Sequence, residues 1–390
     1  MSWTVLCLVV GICHVLMALL LRWNRGRTTP LDRDPAPGAK PPSVLVIIPA
    51  RNEEGNIEAC VRSVLAQDYP TLRVRVVDDH STDQTAAIVQ SLSAHDPRLE
   101  LLHAPALPAR WLGKPHALHA GTREAVADYF LFLDADVRLA PSTVGRSIAA
   151  AQKSHAGLLT VTPTLLAQSF WERAAQPVIG MLLFALLDPV KIRDPDSEVA
   201  AAYGPYLLFE RSAYEQIGGH SAVAMEVVED LRLAQLVKRA RLGFGYVHGV
   251  DGVELRMYDS LRGLVAGWRK NFHVALGPAL WLGPIAALAV ALIFGWPTVA
   301  LLMVALRCLF AKSVTASFAL PGLFCYGADW LARVSLARNY RITWRGARAL
   351  GGLVVAYILC SSCYRAWRGK PVTWRGRSYE AGAAANELPS

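Results

Sequence analysis

With 390 residues the chain can hold one or two domains with a substantial core. Hydrophobic residues make up 53% of it and charged residues 18%, a balance too apolar for an ordinary soluble enzyme. The net charge of +9 is not a nucleic-acid signal, because much of it flanks apolar runs at residues 22–27 and 365–377, where the positive-inside rule places cytoplasmic Lys and Arg.

Residues 3–21 form a nearly uncharged run long enough to span a bilayer. No Lys or Arg precedes it and RWNRGR follows it, the reverse of a signal peptide, so residues 1–22 read as an uncleaved transmembrane anchor with the rest of the chain inside. Residues 23–42, rich in Pro towards their end, read as a linker.

The globular domain is expected over residues 43–273. It alternates short apolar strands with helical stretches: VLVIIPA, a helix over 61–67, RVRVVDD, a helix over 86–92, and YFLFLDAD. This rhythm predicts an α/β fold with a mostly parallel sheet and right-handed crossovers, in which ligands bind beyond the carboxyl ends of the strands. Residues 174–187 are apolar but short and contain Pro177, which reads as a core or interface-lying helix.

From residue 274 the chain is apolar again, in segments 274–296, 298–310, 313–331 and 350–363, two of them carrying Arg307 or Asp329. Residues 274–366 are therefore expected to be transmembrane or interfacial helices, and the basic residues 367–390 a cytoplasmic tail. A cytoplasmic domain and tail require an even number of intervening crossings, two or four. Of seven cysteines only Cys60 lies in the globular middle, which excludes a disulfide framework there and fits a reducing compartment. Cys360 and Cys363 read as two thiols on an apolar helix rather than a redox or zinc pair.

Three acidic groups and one lysine carry the chemical signal. Asp78 and Asp79 end a hydrophobic strand, where adjacent carboxylates need a compensating partner such as a base N–H, ribose hydroxyls or a cation; Ser81, Thr82 and Asp83 after them are good helix caps. Asp134 and Asp136 end the YFLFL strand one residue apart, so both can reach a hard cation and leave positions for diphosphate oxygens. Lys114 in WLGKPHALHAG is a point charge suited to a diphosphate near a helix N-terminus, or else a solvated loop lysine. His116 and His119 in that segment read as structural or substrate-lining. Glu229 and Asp230 open an amphipathic helix, where acids are favoured by the helix dipole; transfer to a hydroxyl also needs one carboxylate to take the proton.

The segments VIIPARNEEGNI, VVDDHSTDQT, GKPHALHAG, FLDADV, YGPYLLFERSAYEQIGG and VVEDLRLA, in that order, resemble glycosyltransferase family 2 with its GT-A fold. The resemblance implies a membrane-bound, inverting, metal-dependent enzyme in which Asp79 holds the uracil or ribose of a nucleotide-sugar, most simply a UDP-sugar. Pro49, Ala50, Arg51 and Glu53 would line that pocket. Asp136, with Asp134 near the sugar and diphosphate, would hold Mg²⁺ or Mn²⁺, and Asp230 would be the base. The segment 186–211, VELRMYDSLRGLVAGWRKNFH and WRGRSY most resemble the bacterial hopanoid-biosynthesis-associated members, which implies a lipid acceptor, a hopanoid or alternatively a polyprenyl phosphate, at the bacterial inner membrane with the catalytic domain cytoplasmic. Processive members carry Q-x-x-R-W after the base; this chain has RGLVAGWRKN, so Trp268 and Arg269 either flank acceptor and leaving group or, for Trp268, anchor the chain at the membrane interface. A nucleotidyl or phosphosugar transferase, and a scaffold without turnover, are the rival classes; the first lacks its Gly-rich signature here, and the retained acids oppose the second.

Overall fold

The computed structural model describes residues 2–31, 40–249, 252–276, 281–311, 314–337, 348–370, 372–374 and 377–379. Part of the expected linker (32–39) and the end of the basic tail (380–390) lie outside the described residues. The chain divides into two compact units, one of Thr28–Thr164 with Pro189–Arg256, the other of Met1–Arg27 with Leu165–Asp188 and Met257–Ala381. The stretch expected as one domain over 43–273 is thus shared between them.

The first unit is built on an eight-stranded sheet. Its strands in chain order are β1 (Thr29–Pro30), β2 (Val44–Ala50), β3 (Leu72–Asp78), β4 (Leu99–His103), β5 (Tyr129–Leu133), β6 (Leu158–Thr162), β7 (Tyr206–Glu210) and β8 (Phe244–His248). Their spatial order is β1-β8-β6-β7-β5-β2-β3-β4. The continuous apolar runs of β2, β5 and β6 are buried on both faces, as strands under two helical layers must be. β2 runs parallel to β3 and β5, with Ala50 opposite Asp78 and Ile47 opposite Phe132. β7 alone runs antiparallel to both its neighbours, pairing Tyr206 with Leu133 and Phe209 with Leu158. The carboxyl ends of β2, β3 and β5 and the amino end of β7 therefore lie along one rim, each step about 4.8 Å.

The second unit is helical. Trp3–Arg27, Gly283–Phe310 and Arg348–Trp367 are each long and apolar enough to cross a membrane, and Ala316–Ala337 packs along the first. The apolar segments expected to break between 296 and 298 are instead joined in Gly283–Phe310, a single helix that runs through Pro297. Proline does not end an apolar helix when packed neighbours compensate the carbonyl it frees, and Pro297 is buried. Phe170–Leu186 opens with a capping box, Ser169 N donating to Glu172 Oε2 at 2.6 Å and Glu172 N to Ser169 Oγ at 3.3 Å. It crosses Arg348–Trp367 so closely that a side chain at Gly351 would strike the Ala174 carbonyl. The Asp329 carboxylate is buried against the guanidinium groups of Arg348 and Arg333, and His14 Nε2 lies 3.2 Å from it. A charge inside such a bundle persists only when paired, and this pairing joins three helices distant in sequence.

Candidate active site

At the ends of β2 and β3 the backbone tightens into two loops that hold each other. Asn52 and His80 both take left-handed conformations, φ 55° and 56°, which these residue types tolerate best after glycine. Asn52 N donates to Ser81 Oγ at 3.0 Å, Thr82 N to Asn52 Oδ1 at 2.8 Å and Glu53 N to Thr85 Oγ1 at 2.8 Å. The two adjacent acids have separate partners: His103 Nδ1 lies 3.4 Å from Asp78 Oδ2, whereas Arg51 Nη1 donates to the Asp79 carbonyl at 2.8 Å and stands 3.8 Å from Asp79 Oδ2. Asp79 N donates to the Ala50 carbonyl at 2.8 Å. Ala50, Arg51, Glu53 and Asp79 thus form one strand-end cradle, with Pro49 the preceding residue of β2.

One strand further along the same rim stands Lys114, on the first turn of helix Gly113–Thr122. Its ammonium bridges Asp134 Oδ1 and Glu229 Oε1, both at 2.8 Å. Burial alone would push this ammonium down, but the Asp134 and Glu229 carboxylates outweigh it and hold the pKa above the ordinary lysine value. Lys114 is therefore not a solvated loop lysine. Asp136 follows in the turn closed by Val137 N and the Asp134 carbonyl at 3.2 Å.

Asp230, next to Glu229, is held at both oxygens. Gly204 N donates to Oδ2 and Leu231 N to Oδ1, each at 2.8 Å. Burial first, and then the neighbouring Glu229 charge, push its pKa up to about 6, against the pull of Lys114 and the two N–H donors. The Gly204 turn is itself tied to the acidic pair, because Asp134 N donates to the Pro205 carbonyl at 3.3 Å. So Lys114, Asp134, Glu229, Asp230 and Gly204 form one connected constellation, and the Arg51–Asp79 pair stands two strands away on the same rim.

This is the crevice in which open α/β sheets bind ligands, and residues 45–218 match the family described as glycosyl transferase family 2. That match covers less than half of the chain. The family's region contains the cradle, Lys114, Asp134, Asp136 and Gly204, while Glu229 and Asp230 lie just beyond it. The 4,4'-diaponeurosporenoate glycosyltransferase of Staphylococcus aureus (strain MRSA252) is 30% identical over 243 residues, 60% of this chain and 62% of that protein. The chain thus spans less than two thirds of the length of this relative. Among solved structures, the mannosyltransferase PcManGT from Pyrobaculum calidifontis, in complex with GDP-Man and Mn²⁺, superposes with a TM-score of 0.54 at 19% identity, covering 95% of this chain and 100% of that one. The fold is accordingly GT-A-like: a mixed, mostly parallel sheet.

Among the described residues no group of three or more His, Cys, Asp or Glu is arranged to hold a metal ion. Asp134 and Asp136 are oxygen donors at a half-exposed strand end, a set that fits a hard divalent ion bound through one or two carboxylates with the rest of its shell from phosphate and water. Trp268 and Arg269 lie in the helical unit. Trp268 is 8% exposed, packed among Tyr258, Leu264 and Phe272, and Arg269 Nε donates to Ser361 Oγ at 3.2 Å. His116 and His119 pack against the Trp111 ring. Cys60 is buried with its thiol 3.6 Å from the Asp134 carbonyl, and burial pushes that thiol's pKa up, away from redox reactivity. Gly204 is the site residue that sequence reasoning does not single out; the available signal is a glycine preceding Pro205 at the mouth of an apolar strand.

Proposed function

We propose that the chain is a membrane-bound, inverting glycosyltransferase that moves a sugar from a UDP-sugar to an apolar lipid acceptor. The observation that carries this is the Lys114 bridge, which unites Asp134 and Glu229 with a half-buried, N–H-held Asp230 on the rim that also carries the Arg51–Asp79 cradle. The cradle of Pro49, Ala50, Arg51, Glu53 and Asp79 binds the nucleoside end of the donor. Asp134 and Asp136 would hold Mg²⁺ or Mn²⁺, which when bound supplies charge for the departing diphosphate. Lys114 adds a second positive charge there. Asp230 takes the proton of the acceptor hydroxyl as that oxygen attacks the anomeric carbon and the UDP oxygen leaves. Glu229, committed to Lys114, keeps that ammonium in place.

The acceptor reading rests on the helical unit. Its three apolar helices expose Leu16, Leu19, Leu288, Leu302 and Leu353, a surface suited to a bilayer, and the catalytic unit then sits on the cytoplasmic side of a bacterial inner membrane. The named S. aureus relative points to a carotenoid acid, whereas segment 186–211 points to a hopanoid; both are extended, apolar and lipid-soluble.

The test is turnover by the purified full chain in detergent with a panel of UDP-hexoses, Mn²⁺ or Mg²⁺, and hopanoid, carotenoid-acid or polyprenyl-phosphate acceptors. UDP release together with a hexose mass gain on one lipid is the expected result. Pyrophosphate release would replace this reading with the nucleotidyl-transferase one, and no product from any pair would end it.

A further inference from the structure

We propose that Gly204 is a positioning residue for the Asp230 carboxylate: its missing side chain makes the space that Asp230 fills, and its N–H fixes which way the carboxylate faces. This rests on the reading of Asp230 as the base. Three observations lead to it. The three heavy atoms nearest to a Cβ built on Gly204 all belong to Asp230: Oδ2 at 2.8 Å, Cγ at 3.3 Å and Cβ at 3.5 Å. Among the described residues other than its chain neighbours, none comes as near to that space. The Gly204 backbone does not take a positive φ, and the following Pro205 confines it to the extended region that any residue adopts. Glycine is thus required here by Asp230 and not by the turn. Third, the Gly204 N–H donates to Asp230 Oδ2 at 2.8 Å.

The turn cannot back away to make room. Tyr203 N donates to Thr160 Oγ1 at 2.9 Å, Asp134 N to the Pro205 carbonyl at 3.3 Å, and Tyr206 N to the Tyr203 carbonyl at 3.0 Å. The Tyr206 ring is fully buried, with its hydroxyl 2.8 Å from Ser147 Oγ. A methyl group at 204 would therefore be accommodated by displacing Asp230. Because Pro205 is bonded to Asp134, the same turn also sets the separation of the base from the acid pair that faces the diphosphate.

The experiment is Gly204→Ala in the full chain, read in two ways. UDP release from the UDP-hexose that supports turnover gives kcat and donor KM; UDP binding is measured by calorimetry. A misplacement of about 1 Å at a reacting group lowers rate by about 100-fold, so kcat is expected to fall by about that factor with KM and UDP affinity unchanged. Thermal unfolding is then compared for Gly204→Ala and for Gly204→Ala combined with Asp230→Ala, each against its own parent. The methyl group should lower Tm only where Asp230 is present. If the single variant does not fold at all, the double variant is still expected to fold with the Tm of Asp230→Ala. An unchanged kcat, a loss confined to donor KM, or an equal drop in Tm in both backgrounds would each overturn the proposal. Full turnover by Asp230→Asn would instead remove the base assignment and leave the contact measured by the Tm comparison standing.

Discussion

Replacing Asp230 with Asn isolates the proton-accepting step, since the amide keeps the size of the carboxylate and removes its basicity. General-base assistance contributes about 10²–10⁴-fold, which at 1.36 kcal/mol per decade is about 2.7–5.4 kcal/mol of transition-state stabilisation. The geometry adds a smaller term. Both oxygens accept a backbone N–H, from Gly204 and Leu231, at 2.8 Å. An Asn carbonyl can serve only one of them and its NH₂ strands the other, at about 1–3 kcal/mol. Loss of the half-buried negative charge beside Glu229 offsets part of that, so the variant should fold. The wild-type pH dependence supplies an independent reading of the same group. A pKa raised to about 6 means that the charged, proton-accepting form is depleted below that pH and dominates above it. For a base of that pKa the wild-type rate at pH 5 should be about tenfold below that at pH 7. Initial rates of UDP release from pH 5 to 8, for both proteins at saturating donor, test this. Asp230→Asn should be slow and flat across the range with UDP affinity intact. A variant within a few-fold of wild type, or a wild-type profile with no acid limb, would refute Asp230 as base.

Lys114→Met removes the cation shared by Asp134 and Glu229 and the charge that pulls the Asp230 pKa down; the acid limb should therefore move to higher pH and the affinity for UDP should fall, both measurable on the purified protein. Asp136→Ala should abolish the Mn²⁺-dependent part of UDP binding seen by calorimetry while the Mn²⁺-independent part remains. Asp329→Ala leaves Arg348 buried without its carboxylate and should destabilise the helical unit by about 3–5 kcal/mol, the usual consequence of breaking a buried pair; unfolding in detergent checks it, and the UDP affinity of the separate α/β unit should not change.

What is legible in the sequence is what depends on near neighbours. The runs VLVIIPA and YFLFL announce doubly buried strands because every second residue is as apolar as the one between. The acids that follow them belong at a sheet rim because a strand ends where its hydrophobic run ends. Helix starts are less legible: the helix expected over 61–67 begins at Ile57, one turn earlier, after Asn56 at the N-cap position, a residue type that is equally at home in turns. The strand Leu99–His103 escapes a reading by pattern because it is an edge strand with mixed exposure and little apolar alternation. The break expected at Pro297 fails because a helix packed among others tolerates proline. Partners far apart in sequence stay invisible, as with His14, Asp329 and Arg348, or Lys114 and Glu229: composition marks each as unusual for its surroundings, but nothing local names the mate.

The βαβ rhythm predicts a mostly parallel sheet, and the one antiparallel strand of the eight-stranded sheet is what completes the site. Had β7 been parallel to β5, its amino end, with Gly204 and Pro205, would lie at the rim opposite to Asp79 and Asp134, because reversing a strand exchanges its ends across the full width of the sheet, about 17 Å for five residues. Run antiparallel, β7 opens next to the point where β5 closes, as the Leu133–Tyr206 pairing records. That places a backbone N–H donor and an unsubstituted Cα next to the carboxyl ends of β2, β3 and β5. The helix Glu229–Arg239 can then present Asp230 to Gly204 and Glu229 to Lys114 in consecutive residues. Two adjacent acids with different partners acquire different chemistry: Glu229 is neutralised by an ammonium at 2.8 Å, while Asp230, held by N–H groups and pressed by its neighbour's charge, is driven towards basicity. The reversal of one strand thus separates the two carboxylates into one ion-paired with Lys114 and one held by backbone N–H groups with its pKa raised, a distinction that their identical place at a helix start could not make.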